Sequence, residues 1–207
     1  LIIRKHRIPE AHEPAVVAEA KRLGDAVKRR DLKGRTDFRT VLTVTIDGET
    51  ARDFDDAITL EVLPNGHHWL GVHIADVAHY VKEGGALDEA AYTRGTSVYF
   101  PERALHMFPA PLATGLCSLK PGVDRLVQSC LMEVDRHGAV LRYELHDGVI
   151  CSDARMTYTE VEAILTRRDP DTRRQYAELV PLFGLMDTVY RRLNARRVRR
   201  GSIDFDL

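Results

Sequence analysis

The sequence predicts a mixed α/β layered domain in which a largely antiparallel sheet is packed by helices. Three observations carry this. Two pairs of β-patterned segments are each joined by turn-forming residues, the strand-like segments precede the longer helical ones, and the final stretch repeats apolar residues at helical spacing. At 207 residues and 44% hydrophobic content, the chain has enough apolar material for a real core.

Pro14 stands where a first helical turn tolerates proline, and Val16, Ala20, Leu23 and Val27 then recur at helical spacing, predicting a helix of about four turns. The run Val41-Leu42-Thr43-Val44 predicts a strand ending near Thr45. Two more strands, Ala57 to Val62 and His68 to Ala75, flank Pro64-Asn65-Gly66 and read as a hairpin. Gly84-Gly85 interrupts the pattern ahead of a short helix around Leu87 to Thr93, and Pro101, Pro109 and Pro111 mark an irregular connection. A second hairpin runs from Val127 to Val134 and from Ala139 to Val149, with His137-Gly138 at its turn. After Thr157-Tyr158-Thr159 comes a short helix through Val161 to Leu165. A longer one carries Tyr176, Leu179, Phe183, Met186, Tyr190 and Leu193 on one stripe, with Pro181 starting or kinking it.

Lys and Arg total 30 against 31 Asp and Glu, a formal net charge of −1, so nothing global draws the chain to nucleic acid. Cys117, Cys130 and Cys151 are odd in number and widely spaced, which predicts free thiols in a reducing compartment. No apolar run approaches membrane-spanning length and no leader pattern opens the chain, so the expected location is cytoplasmic and no membrane partner is expected. The arginines at 191, 192, 196, 197, 199 and 200 have two readings of equal weight, a solvated helix face or a holder of phosphates. The histidines at 67, 68, 73 and 79 lack a metal spacing and read as structural or exposed.

The densest chemistry lies in ten residues, where Asp47, Asp53, Asp55 and Asp56 occur together. Two carboxylates about 4 Å apart repel by roughly 1 kcal/mol in water and about 4 kcal/mol near a protein surface. Converging carboxylates therefore call for a cation. With no His or Cys among these hard oxygen donors, magnesium or manganese suits them better than zinc or copper. A continuous strand would send Asp53 and Asp55 to one face and Asp56 to the other, so convergence requires a turn, which Gly48 and Glu49-Thr50 supply. An exposed acidic loop and a calcium loop are the alternatives; the second lacks the D-x-[DN]-x-[DN]-G pattern with its distal glutamate.

Thr45-Ile46-Asp47 followed by Ala51-Arg52-Asp53-Phe54-Asp55-Asp56-Ala57 resembles the signature that opens the catalytic domain of the ribonuclease II/ribonuclease R exoribonucleases. Four further segments resemble the same family in the same order: Gly71-Val72-His73-Ile74-Ala75-Asp76-Val77, Arg94-Gly95-Thr96-Ser97-Val98-Tyr99-Phe100-Pro101, Leu116-Cys117-Ser118-Leu119 and Val123-Asp124-Arg125. The resemblance runs from about Ile8 to the last residue. It implies a partial RNB-type catalytic domain. Residues 1–39 would be a lead-in segment with a helix, and 40–207 the N-terminal portion of the catalytic domain, truncated at its C-terminal end. The chain opens without methionine and stops after a basic segment, which reads as a fragment. The rest of the catalytic domain, with a later glutamate and arginine of the site, and the flanking OB-fold domains would then lie elsewhere.

What the resemblance implies functionally is processive 3′-to-5′ hydrolysis of single-stranded RNA to nucleoside 5′-monophosphates, using Mg2+ or, in its place, Mn2+. Asp47 and Asp56 would ligate metal directly, Asp53 would hold a metal or its waters, and Asp55 would be the residue most sensitive to loss. Tyr99 and Phe205 would clamp bases, with Tyr158 nearer the reacting phosphate. The competing expectations are an RNA-binding or interaction module without catalysis and a magnesium-dependent phosphatase.

Overall fold

The computed structural model describes residues 2–202. A helical turn α1 (Ile2–Lys5) precedes α2 (Pro14–Leu23), which is followed by a 3-10 turn at Arg29–Leu32 and β1 (Thr36–Asp37). Helix α2 is shorter than its apolar spacing suggests. Gly24, at φ +88°, takes a backbone conformation that ends it, although Val27 still packs on the same core.

Then come β2 (Thr43–Asp47), β3 (Asp56–Val62), β4 (His68–Ala75), α3 (Val77–Tyr80) and α4 (Ala86–Arg94). A two-stranded ribbon of β5 (Val98–Tyr99) and β6 (Ala104–Leu105) leads into a π-helical turn at Leu112–Leu116. The long hairpin β7 (Asp124–Val134) and β8 (Val140–Cys151) is followed by β9 (Ala154–Thr157), α5 (Tyr158–Glu162), a second π-helical turn at Ala163–Arg167, α6 (Pro170–Gln175) and α7 (Val180–Arg199). The helix expected over Val161 to Leu165 thus begins earlier, where Thr157 and Glu160 form a reciprocal N-terminal cap, and changes to π geometry in its second half. Pro181 sits in the first turn of α7 and starts it.

Seven strands form one mixed sheet in the order β1-β8-β7-β4-β3-β2-β9. The four inner pairings are antiparallel, as the hairpin signals require, while β1 on β8 and β9 on β2 are parallel. Alternation along β3 sends Ala57 into a core with α2, α4 and the Leu112–Leu116 turn, and Leu60 into a second core with α7 and the Ala163–Arg167 turn. Among the described residues, no helix is long and apolar enough to cross a membrane.

Part of the basic run on α7 secures that helix. Arg192 donates to His68 Nδ1 at 3.2 Å and Arg196 to the Gly138 carbonyl at 3.3 Å, while Arg199 and Arg200 are exposed. At the sheet centre His73 is fully buried between Thr59 Oγ1 at 3.1 Å and Ser129 Oγ at 2.8 Å. Burial pushes its imidazole from 6.5 down to about 4. A buried neutral histidine stabilises the fold fully above the pKa of the unfolded chain, and that stability drains as the unfolded state takes up protons. Between pH 7 and pH 4.5 His73 alone should withdraw about 2–3 kcal/mol. Urea titrations at the two pH values measure this, and the His73→Gln protein should show a shallower loss; equal losses in both proteins would assign the acid sensitivity to other groups.

Candidate catalytic aspartate loop

Strand β2 ends at Asp47 and β3 begins at Asp56. Because the two strands pair antiparallel, with Val44 opposite Ile58, these terminal carboxylates emerge at the same end of the sheet. The intervening loop turns at Gly48–Ala51, where the Ala51 amide donates to the Gly48 carbonyl at 3.1 Å, and it carries Asp53 and Asp55. The loop is anchored at several points. The Ala75 amide, at the end of β4, donates to the Asp55 carbonyl at 2.9 Å, and Arg155 on β9 donates to the carbonyls of Gly48 at 2.5 Å and Glu49 at 3.1 Å. Phe54 turns away from the carboxylates into the core, with the Arg155 guanidinium 5.4 Å from its ring centre.

The carboxylates crowd one another. Burial raises the Asp47 pKa, the charges of Asp56 and Asp53 raise it further, and the Arg155 charge opposes them. Asp55 is raised by desolvation in its crowded setting, although it keeps solvent contact, and then by Asp53, Asp56 and Asp47, with His106 opposing. Asp47 Oδ2 is buried without a hydrogen-bond partner. A buried acceptor left unmatched beside repelling carboxylates is the environment a hard cation relieves. Among the described residues, no three His, Cys, Asp or Glu side chains close on a common metal position as they stand. The donor chemistry and the orphan oxygen fit Mg2+ or Mn2+; the side-chain positions do not form a finished cage.

Asp53 is held from the β5–β6 ribbon. Its Oδ2 accepts from the Tyr99 hydroxyl at 2.6 Å and lies 3.4 Å from His106 Nδ1. Local desolvation of its hydroxyl, and then the hydrogen bond to the Asp53 carboxylate, push the Tyr99 phenol up to about 12, so it remains a donor at neutral pH.

The profile of the RNB domain family matches residues 35–207. The chain belongs to the RNB domain family. Ribonuclease R of Aquifex aeolicus is 42% identical over 207 residues, which is 100% of this chain and 29% of that protein. Ribonuclease R of Thermotoga maritima is 47% identical over 204 residues, 98% of this chain and 28% of that protein. The chain therefore spans less than a third of the length of these relatives. The structure of Mycoplasma genitalium RNase R in complex with ribose-methylated single-stranded RNA superimposes with a TM-score of 0.85 at 28% identity, covering 98% of this chain and 31% of that one. Yeast Ssd1, described as a pseudonuclease, shares the fold at a TM-score of 0.62 and 20% identity over 69% of this chain and 18% of that one.

Within this RNB domain the four aspartates picked out in the sequence gather at one loop. Tyr99 is 62% exposed and so does not belong to the core. Tyr158, 64% exposed, follows Thr157, which is the register partner of Asp47, so its backbone starts beside the carboxylates. Phe205 lies outside the described residues. Sequence reasoning passed over His106 and Arg155, which reach the loop from 53 and more residues away in pairings that no local pattern announces.

Proposed function

We propose that this RNB domain carries the acidic centre of a metal-dependent exoribonuclease that hydrolyses single-stranded RNA from the 3′ end to nucleoside 5′-monophosphates. One observation carries the reading: four mutually repelling carboxylates share one loop, with a buried, unpartnered oxygen on Asp47. The fold shared with an RNA-bound RNase R supports RNA as the substrate class. Mg2+, or Mn2+ in its place, would be held by Asp47 and Asp56 directly, with Asp53 and Asp55 binding it or its waters, and would supply Lewis-acid activation of the phosphodiester. The direction of attack and the mononucleotide product rest on the family resemblance. Three cysteines without disulfides fit a reducing, cytoplasmic setting.

The protein's own side chains contribute orientation. Asp53 is fixed by the Tyr99 hydroxyl, which leaves the ring facing solvent and available to a base. An enzyme that ignores sequence needs a contact every base offers, and a π-face supplies one worth about 1–3 kcal/mol per base.

Labelled single-stranded RNA incubated with the full-length protein and Mg2+ should shorten from its 3′ end with release of mononucleotides, and EDTA should stop it. RNA retained intact would support a binding module, and turnover confined to small phosphate esters would support a phosphatase. In the same assay Tyr99→Ala should release longer end-products than wild type, while Tyr99→Phe, which keeps the ring, should retain the wild-type length. Unchanged end-product length and unchanged affinity for short oligonucleotides in Tyr99→Ala would remove Tyr99 from the base contacts.

A further inference from the structure

We propose that Ser118 is a positioning residue of the aspartate loop, its hydroxyl tying together the backbone on the two sides of Asp53. Ser118 is fully buried. Its Oγ donates to the Arg52 carbonyl at 2.7 Å and accepts from the Phe54 amide at 3.2 Å. A single serine oxygen thus joins the residue before Asp53 to the residue after it. The adjoining Leu119 amide donates to the Phe54 carbonyl at 2.8 Å, which extends the grip to the peptide that enters Asp55.

The clamp is itself fixed. The Ser118 amide donates to the Gly115 carbonyl at 3.2 Å, in the Leu112–Leu116 turn. Its carbonyl accepts from Arg125 Nε at 2.8 Å, and Arg125 is only 6% exposed. These contacts give physical roles to two segments with no carboxylate of the loop, Leu116-Cys117-Ser118-Leu119 and Val123-Asp124-Arg125. They build the wall against which the loop is held.

A buried hydroxyl satisfying loop backbone is common in any fold. The selection of partners is what separates this one. Both groups it binds flank Asp53, whose carboxylate is the one that Tyr99 and His106 engage from the other side. Alanine at 118 would leave the Arg52 carbonyl and the Phe54 amide without that partner and free the Asp53 backbone to drift relative to Asp47 and Asp56. Supporting contacts behind ligating side chains act on affinity and rate through such drift.

The inference rests on the reading of the aspartates as a cation-dependent centre, and the experiment separates the two. Mn2+ binding to the RNA-free, full-length protein is followed by electron paramagnetic resonance, and kcat and KM are measured on single-stranded RNA. Ser118→Ala should weaken Mn2+ binding and lower kcat by about tenfold or more, with KM for RNA within about twofold of wild type. Ser118→Thr, which keeps the hydroxyl, should recover most of both. Should Ser118→Ala fail to fold, Ser118→Cys, whose sulfur makes only weak hydrogen bonds, carries the same comparison. A variant with lowered melting temperature but wild-type Mn2+ affinity and kcat overturns the proposal and leaves Ser118 as a structural hydroxyl. A wild-type protein that neither binds Mn2+ nor releases mononucleotides overturns the underlying reading as well.

Discussion

Asp55→Asn in the full-length protein is expected to slow RNA hydrolysis by at least about a hundredfold, the scale at which deleting one preorganised electrostatic group acts, with RNA affinity nearly unchanged. The substitution keeps one oxygen and the shape of the side chain but removes a charge that desolvation and three neighbouring carboxylates already disfavour. That imbalance has a second consequence. A carboxyl whose folded pKa is raised favours its neutral form in the folded state, so the ionised group opposes folding at neutral pH, and the opposition fades as pH falls through the folded value. Asp55→Asn should therefore melt higher than wild type in EDTA at pH 7 while losing activity in Mg2+. Near wild-type mononucleotide release would remove Asp55 from the catalytic centre, and a lower melting temperature in EDTA would contradict the crowding.

Gly71→Ala should produce a large loss of stability for a single methyl group. Gly71 lies in the middle of β4, opposite Thr59 on β3 and Leu131 on β7. A Cβ there would stand 2.2 Å from Thr59 Oγ1, 2.9 Å from Leu131 Cδ2 and 3.0 Å from His73 Nε2. The position requires glycine for space, since its backbone has no positive φ. Relief means moving β3 or rotating Thr59 away from His73, which would leave buried polar groups unpaired in addition to overpacking the core. The two effects together should cost about 3 kcal/mol or more. A urea midpoint shifted downward with unchanged slope is the expected reading. The same displacement should reach the site, because β3 begins at Asp56 and β4 ends on the Asp55 carbonyl through Ala75. A wild-type midpoint would show that the sheet absorbs the methyl group without strain.

The hairpins were legible because Asn65-Gly66 and His137-Gly138 are local signals, and Gly66 and Gly138 both adopt positive φ, at +77°. The edge strands were not. Strand β1 is two residues long and β9 four, and each gains its strand character only from a parallel partner distant in sequence. On α7 the periodic reading found Phe183 but missed Leu182 and Val189, which are buried, and included Tyr190, which is 61% exposed; Tyr176 and Leu179 precede the helix. The aspartates could be read because four aspartates in ten residues are physically anomalous wherever they fold. The groups that hold them are ordinary in isolation. Ser118, His106 and Arg155 acquire meaning only when the π-helical turn, the β5–β6 ribbon and β9 come to the loop.

The proposed dependence of the aspartate loop on a cation is tested most directly by the melting temperature of the full-length protein, free of RNA, with and without divalent metal. A ligand bound by the folded state alone, at about 100 times its dissociation constant, adds roughly 2.7 kcal/mol of stability. Mg2+ and Mn2+ should each raise the melting temperature accordingly, and EDTA should reverse the rise. A melting curve that ignores both ions would contradict the assignment of Asp47, Asp53, Asp55 and Asp56 as a metal-dependent centre.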